Sequence, residues 1–153
     1  MPTIQGITRS LGYAIEVASV NGYPTENEPV RPGEGKIMAM LKDNIFQKII
    51  DRQIPAKIVY EDDRCLAFHD VNPQAPVHVL IIPRKVIPTH SEITEADKEL
   101  LGHLHLVAHK LAETLGIQDG YRLVINCKEP AGQTVPHLHF HLLGGRAMRW
   151  PPG

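Results

Sequence analysis

The sequence predicts an α+β domain, a five-stranded antiparallel sheet packed with one long and one short helix. Three observations carry this expectation. Five short stretches bounded by turn residues have strand character, at 57–60, 65–68, 78–82, 121–127 and 137–143. Apolar residues recur at helical spacing from Leu100 to Leu115. The order of elements is helix, three strands, long helix, two strands, which places helices on an antiparallel sheet.

Residues 1–42 stand apart, because Gly22, Pro24, Pro29, Pro32, Gly33 and Gly35 punctuate them and no sustained period emerges. They read as an N-terminal extension, a tail or a packed edge segment, ahead of a domain over 43–153. An organellar presequence should be rich in Arg and poor in acids. This segment has only Arg9 before Arg31, and it carries Glu16, Glu26, Glu28 and Glu34.

From Asp43 onward the signals become regular. Asp43 or Asn44 can cap a short helix whose Ile45, Phe46, Ile49 and Ile50 form one apolar face, and Pro55 ends it. Lys57–Tyr60, Cys65–Phe68 and His78–Ile82 then form an antiparallel meander, separated by the turns Glu61-Asp62-Asp63 and Asn72-Pro73-Gln74. Thr94 can cap the long helix, with Asp97 three positions on as its capping-box partner. Leu100, Leu101, Leu104, Val107, Ala108, Leu111 and Leu115 form the buried stripe, and Gly116 stops the helix. Tyr121–Cys127 and His137–Leu143 supply the last strands, the second ending at Gly144-Gly145.

Composition narrows the function. The 153 residues are 42% hydrophobic and 22% charged, as in one globular domain, and no apolar run approaches the ~18 residues a membrane span needs. Lys and Arg total 16 against 17 Asp and Glu, so no basic excess exists to hold a nucleic-acid backbone, while a small anionic ligand remains compatible. Cys65 and Cys127 are too few for a disulfide framework and lack metal or redox spacing, which suits a reducing compartment, cytoplasmic or nuclear.

The anomaly is nine histidines, three of them at His137, His139 and His141. In an extended backbone this period of two sends the three imidazoles to one face and Leu138, Phe140 and Leu142 to the other. Same-face neighbours lie ~6.5–7 Å apart at the backbone, close enough to contact one anionic group. Three accounts compete. A metal site would need further ligands, and no carboxylate or Cys has an obvious claim to complete one. A solvated sheet face would suit a lone histidine better than three in alternation beside a Gly-rich loop. Phosphoryl or nucleotidyl transfer uses imidazole as nucleophile and neighbouring imidazoles as proton carriers, near an unperturbed pKa of ~6.5. Gly132-Gln133-Thr134 adds backbone, amide and hydroxyl groups able to bind phosphate oxygens. His90, His103, His105 and His109 have no motif around them and read as structural.

The run His137-Leu138-His139-Phe140-His141-Leu142-Leu143 resembles the histidine-triad (HIT) motif at every position. The similarity extends over residues 43–153, through Ile45-Phe46, the stretch Asp62 to Asp70, Pro73 to His78, Gly120-Tyr121-Arg122 and Asn126. The ending Gly144-Gly145-Arg146 with Trp150-Pro151-Pro152-Gly153 resembles the histidine-triad nucleotide-binding (Hint) branch.

That resemblance implies a purine nucleoside phosphoramidase, without cofactor or metal, on a homodimer whose two sheets join. It implies His139 as the nucleophile, His141 as phosphate contact and proton donor, and His137 and His78 as orienting groups. Asp70 would bind the ribose hydroxyls; Asn126, Gln133 and Thr134 would hold the phosphate. Ile45, Phe46, Ile49, Phe68, His69 and Val71 would enclose the purine, and Trp150 would reach a neighbouring subunit's site. A dinucleoside polyphosphate hydrolase and a nucleotide-binding scaffold are the alternatives. The sequence departs from the family pattern at Pro136 and in the charged, stiffened loop Cys127-Lys128-Glu129-Pro130-Ala131, where relatives are small and Gly-rich. Both departures bear on which amine leaves.

Overall fold

The structure is a computed structural model that describes residues 44–153. The expected extension over residues 1–42 lies outside the described residues. Asn44 opens the first helix, α1 (Ile45–Ile50): its Oδ1 accepts the N–H groups of Phe46 and Gln47 at 3.0 and 3.3 Å. Three strands follow, β1 (Ile58–Glu61), β2 (Cys65–His69) and β3 (Val77–Pro83). The long helix α2 spans Lys98–Thr114, and β4 (Tyr121–Val124) and β5 (Phe140–Gly144) close the domain. All pairings are antiparallel, in the order β1-β2-β3-β5-β4.

The predicted α+β architecture is therefore present, with two boundary corrections. The last strand begins at Phe140 rather than His137. The backbone ahead of it turns elsewhere: the His137 N–H donates to the Val135 carbonyl at 2.8 Å, and that of Leu138 to the Ile87 carbonyl. With β5 starting at Phe140, the β4 ladder ends where Val124 faces His141, so β4 stops at Val124 instead of Cys127.

Both faces of the sheet are covered. On one, Cys65, Ala67, Val79, Ile81, Phe140 and Leu142 pack against Leu104, Val107, Ala108, Leu111 and Ala112 of α2. On the other, Leu66, Phe68, Leu80 and Ile82 meet Phe46 and Ile49 of α1. The histidines of the triad share this second, thinner side. α2 enters through the expected Thr94–Asp97 capping box, though its first turn, Glu95–Asp97, is a 3-10 turn. It ends at Gly116 (φ 70°), with the N–H of Gly116 bonded to the Glu113 carbonyl and that of Ile117 to Ala112. This exit presses Ile117 onto the end of β5, where a Cβ on Gly144 would lie 2.6 Å from Ile117 Cδ1. His103 is structural, as read: its Nε2 meets Asp62 Oδ2 at 2.6 Å and ties α2 to the β1–β2 turn.

Candidate active site

His137 is fully buried and both its ring nitrogens are engaged. Nε2 lies 2.8 Å from the Pro83 carbonyl oxygen, which can only accept, so Nε2 carries the proton. Nδ1 is then the acceptor for Asn44 Nδ2 at 2.8 Å. Burial pushes the ring pKa down to about 4, so His137 is neutral at physiological pH, with both ring nitrogens taken by the protein. It is a strut rather than a third phosphate contact. Asn44, expected only as a possible helix cap, also fixes the tautomer of a histidine 93 residues away.

The His137 carbonyl in turn orients His139. His139 Nδ1 stands 2.7 Å from that oxygen and must donate to it, which leaves the lone pair on Nε2. Burial lowers the ring pKa, partly offset by this bond and by the charge of Asp70, keeping the ring neutral. The edge of Phe46 packs on it at 5.1 Å between centroids, with Phe68 behind at 5.7 Å from Phe46.

His141 is the neighbour on the other side, with its ring 4.9 Å from that of His139. The register sets its second contact. Leu80 faces His141 and Leu143 faces His78, so the two histidines are diagonal neighbours on one face. The Gln74 N–H donates to His78 Nδ1 at 3.1 Å, so His78 Nε2 carries the proton and donates it to His141 Nδ1 at 2.9 Å. His141 is then protonated on Nε2, a buried atom with no hydrogen-bond partner among the described residues. Burial and the neighbouring His139 and His78 push its pKa down to about 4, and burial lowers that of His78. The result is a lone pair on His139 and an unclaimed N–H on His141, side by side.

Among the described residues, two groups of side chains bring three metal-ligating atoms within 4.8 Å of one another: Asp70, His78, His141 and Asp62, Cys65, His103. Neither donor set fits a metal ion. His78 Nε2 carries a proton because Nδ1 already accepts the Gln74 N–H. His103 is in the same state, because Arg64 Nη2 donates to its Nδ1 at 2.8 Å. Burial also pushes the Cys65 thiol up to about 12, far from thiolate.

Of the other residues expected at the site, Phe46, Phe68 and Ile49 are buried together beside the triad. Asp70 reaches within 3.4 Å of His78 Nε2 while its Oδ1 accepts the Asn72 N–H. His69 is half-buried at the end of β2, Ile45 is exposed, and Val71 is fully exposed. Asn126 is half-buried opposite Gly132, and Thr134 is exposed on the loop leading to His137. Trp150 is 85% exposed.

Gln133 requires a correction. Its Oε1 accepts from Thr89 Oγ1 and the Lys128 N–H, at 2.7 and 2.8 Å. Its Nε2 donates to the Pro88 and Val135 carbonyls, at 2.7 and 2.9 Å. That exhausts a side-chain amide. Gln133 clamps the loop and has nothing left for a phosphate.

The sequence and the fold have known counterparts. A protein-family model described as the HIT domain matches residues 51–148. An uncharacterised HIT-like protein of Synechocystis is 63% identical over 114 residues, covering 74% of this chain and 100% of that protein. Among solved structures, a HIT family hydrolase from Legionella pneumophila superimposes with a TM-score of 0.70 at 51% identity, covering 71% of this chain and 98% of the other. A histidine triad nucleotide-binding protein from Candida albicans does so with a TM-score of 0.61 at 32% identity, over 70% and 82%. With its triad geometry and this coverage, the chain belongs to the HIT domain family.

Proposed function

We propose that this protein is a purine nucleoside phosphoramidase, hydrolysing the P–N bond of adenosine or guanosine 5′-phosphoramidates through a nucleotide bonded to His139. The observation that carries this reading is the pairing of a histidine whose Nδ1–H is anchored, so that Nε2 is the nucleophilic atom, with a neighbour whose Nε2–H is buried and unclaimed. The hydrolase and nucleotide-binding descriptions of the Legionella and Candida relatives support the same class of chemistry.

In the first step His139 Nε2 bonds to phosphorus and the P–N bond breaks. One proton, taken up from solvent with the anionic substrate, passes through His141 Nε2 to the departing nitrogen, so the amine leaves neutral. In the second step water bonds to phosphorus, its proton returns to solvent through the same ring, and the P–Nε2 bond breaks. His139 is restored neutral and a nucleoside monophosphate is released. His78 holds His141 in the donating tautomer, and His137 holds His139.

The apolar cluster of Phe46, Ile49 and Phe68 suits a purine face, and in this reading Ile45, His69 and Val71 would close over the bound base. Asp70 serves the ribose, and Asn126 and Thr134 the phosphate. A homodimer joined along β4 would continue the sheet, since β4 is an outer strand with Tyr121 39% exposed, and would bring Trp150 toward the partner's site. The test is turnover of adenosine 5′-phosphoramidate with a chelator present. The wild-type protein should release AMP and a His139→Ala variant should not; equal rates would refute the reading.

A further inference from the structure

A groove of about 570 Å³ is lined by Pro88, Glu92, Lys128, Thr134, Val135 and Pro136 among others, the last of these next in sequence to His137. It adjoins the proposed reaction centre, because Val135 also packs against the Phe46–Phe68 cluster that flanks His139. A phosphate held at Thr134 would present its leaving group to this space.

Lys128 occupies an unusual place on the rim. Its backbone lies at φ 67°, ψ 171°, a region populated almost only by glycine. The surroundings over-determine that conformation. The Lys128 N–H donates to Gln133 Oε1 at 2.8 Å, and its carbonyl accepts from the N–H groups of Ala131 and Gln133 at 3.2 and 3.1 Å. A side chain kept where glycine would relieve strain points to a use for that side chain. Its ammonium makes no ion pair among the described residues, although Glu129 is adjacent and Glu92 lines the same groove.

Resting on the phosphoramidase reading, we propose that this groove is the leaving-group subsite. Lys128 is its specificity-determining residue, selecting amines that carry a carboxylate, as an amino acid joined to phosphorus through its nitrogen does. Pro88, Val135 and Pro136 supply an apolar surface for the body of such an amine, and Lys128 meets its single negative charge. Among the described residues, Lys128 is the one cation of the lining and can meet one negative charge, so a polyphosphate leaving group with several is left with charges facing Glu92 and Glu129 and is repelled.

The test compares kcat/KM for three adenosine phosphoramidates, the unsubstituted compound, the alanine conjugate and the alanine methyl ester conjugate, alongside a diadenosine polyphosphate. The enzymes are wild type, Lys128→Gln and Lys128→Gly. Wild type should favour the alanine conjugate over its ester by about fivefold, the size expected of an exposed ion pair, and both variants should bring that ratio to about one. Lys128→Gly relieves the backbone strain, so it should fold at least as well as wild type, and a lost preference in it cannot be a folding defect. A wild-type ratio near one, a ratio that survives both substitutions, or faster turnover of the polyphosphate would overturn the inference. Turnover of the unsubstituted compound alongside any of these results would leave the phosphoramidase reading standing. Failure of wild type on all three phosphoramidates would remove both.

Discussion

His139 Nδ1 lies 2.7 Å from the carbonyl oxygen of His137, two residues earlier in the chain. Among the four histidines of the site, this is the one pinned through Nδ1. His137 and His78 are held as Nε2–H tautomers by Pro83 and Gln74, and His141 follows from its bond to His78. Proton-coupled 15N NMR of imidazole-labelled protein near neutral pH should therefore find, among these four of the nine rings, each assigned by loss of its signal in the matching His→Ala variant, Nδ1–H at His139 and Nε2–H at the other three. An Nε2–H tautomer at His139 would leave the proposed nucleophile without its lone pair.

Asn44 performs two tasks that substitution can separate. Asn44→Ala removes the cap of α1 and the donor to His137, and should cost about 2 kcal/mol of stability. Asn44→Asp keeps an acceptor for the Phe46 and Gln47 N–H groups but sets a carboxylate against His137 Nδ1. The expected outcome is turnover lowered about tenfold or more in both variants, with α1 better preserved in the aspartate. Urea denaturation and steady-state rates would check this pair. Full activity in Asn44→Asp would mean that His137 needs no donor.

Gln133 should behave as a clamp. Gln133→Glu keeps the acceptor for Thr89 and Lys128 but opposes a carboxylate oxygen to the Pro88 and Val135 carbonyls. A loss of about 2–3 kcal/mol follows from those unpaired and repelling groups. A phosphate ligand would behave differently, weakening nucleotide affinity while leaving the unfolding midpoint in place. Measuring both quantities on one variant decides between the roles.

Acid should destabilise the fold in a defined window. The His137 ring takes up a proton near 6.5 when unfolded and near 4 when folded, so between those values the unfolded chain binds more protons. Stability from this group is fully present above 6.5 and is lost progressively as pH falls toward 4, in total about 3 kcal/mol. His78, His139 and His141 are shifted in the same direction and add to it. Urea midpoints should fall between about pH 7 and about pH 4.5, with much of the fall missing in a folded His137→Gln variant. Identical pH profiles would contradict the assignment of His137 as a buried neutral strut.

Much of this architecture was legible in the sequence, because periodicity reports burial. Alternation along 137–143 separates Leu138, Phe140 and Leu142 from the histidines, and the buried stripe of α2 follows its 3.6-residue period. What the sequence concealed was where backbone donors go. His137–His139 reads as strand by pattern, yet the N–H groups of His137 and Leu138 are drawn to Val135 and Ile87, and the ladder starts late. Gln133 looked suited to phosphate because its residue type is, and only tertiary contacts with residues 88, 89, 128 and 135 reveal an amide already filled. Asn44 carried a cap signal, but nothing local announces a partner 93 residues away.

The most direct test of the central claim is to quench the reaction of wild-type protein with adenosine 5′-phosphoramidate within its first turnover and to map the modified peptide by mass spectrometry. An adenylyl group on His139 is the predicted result. Adenylylation of a different side chain, or AMP release with no protein-bound nucleotide at any time, would contradict it.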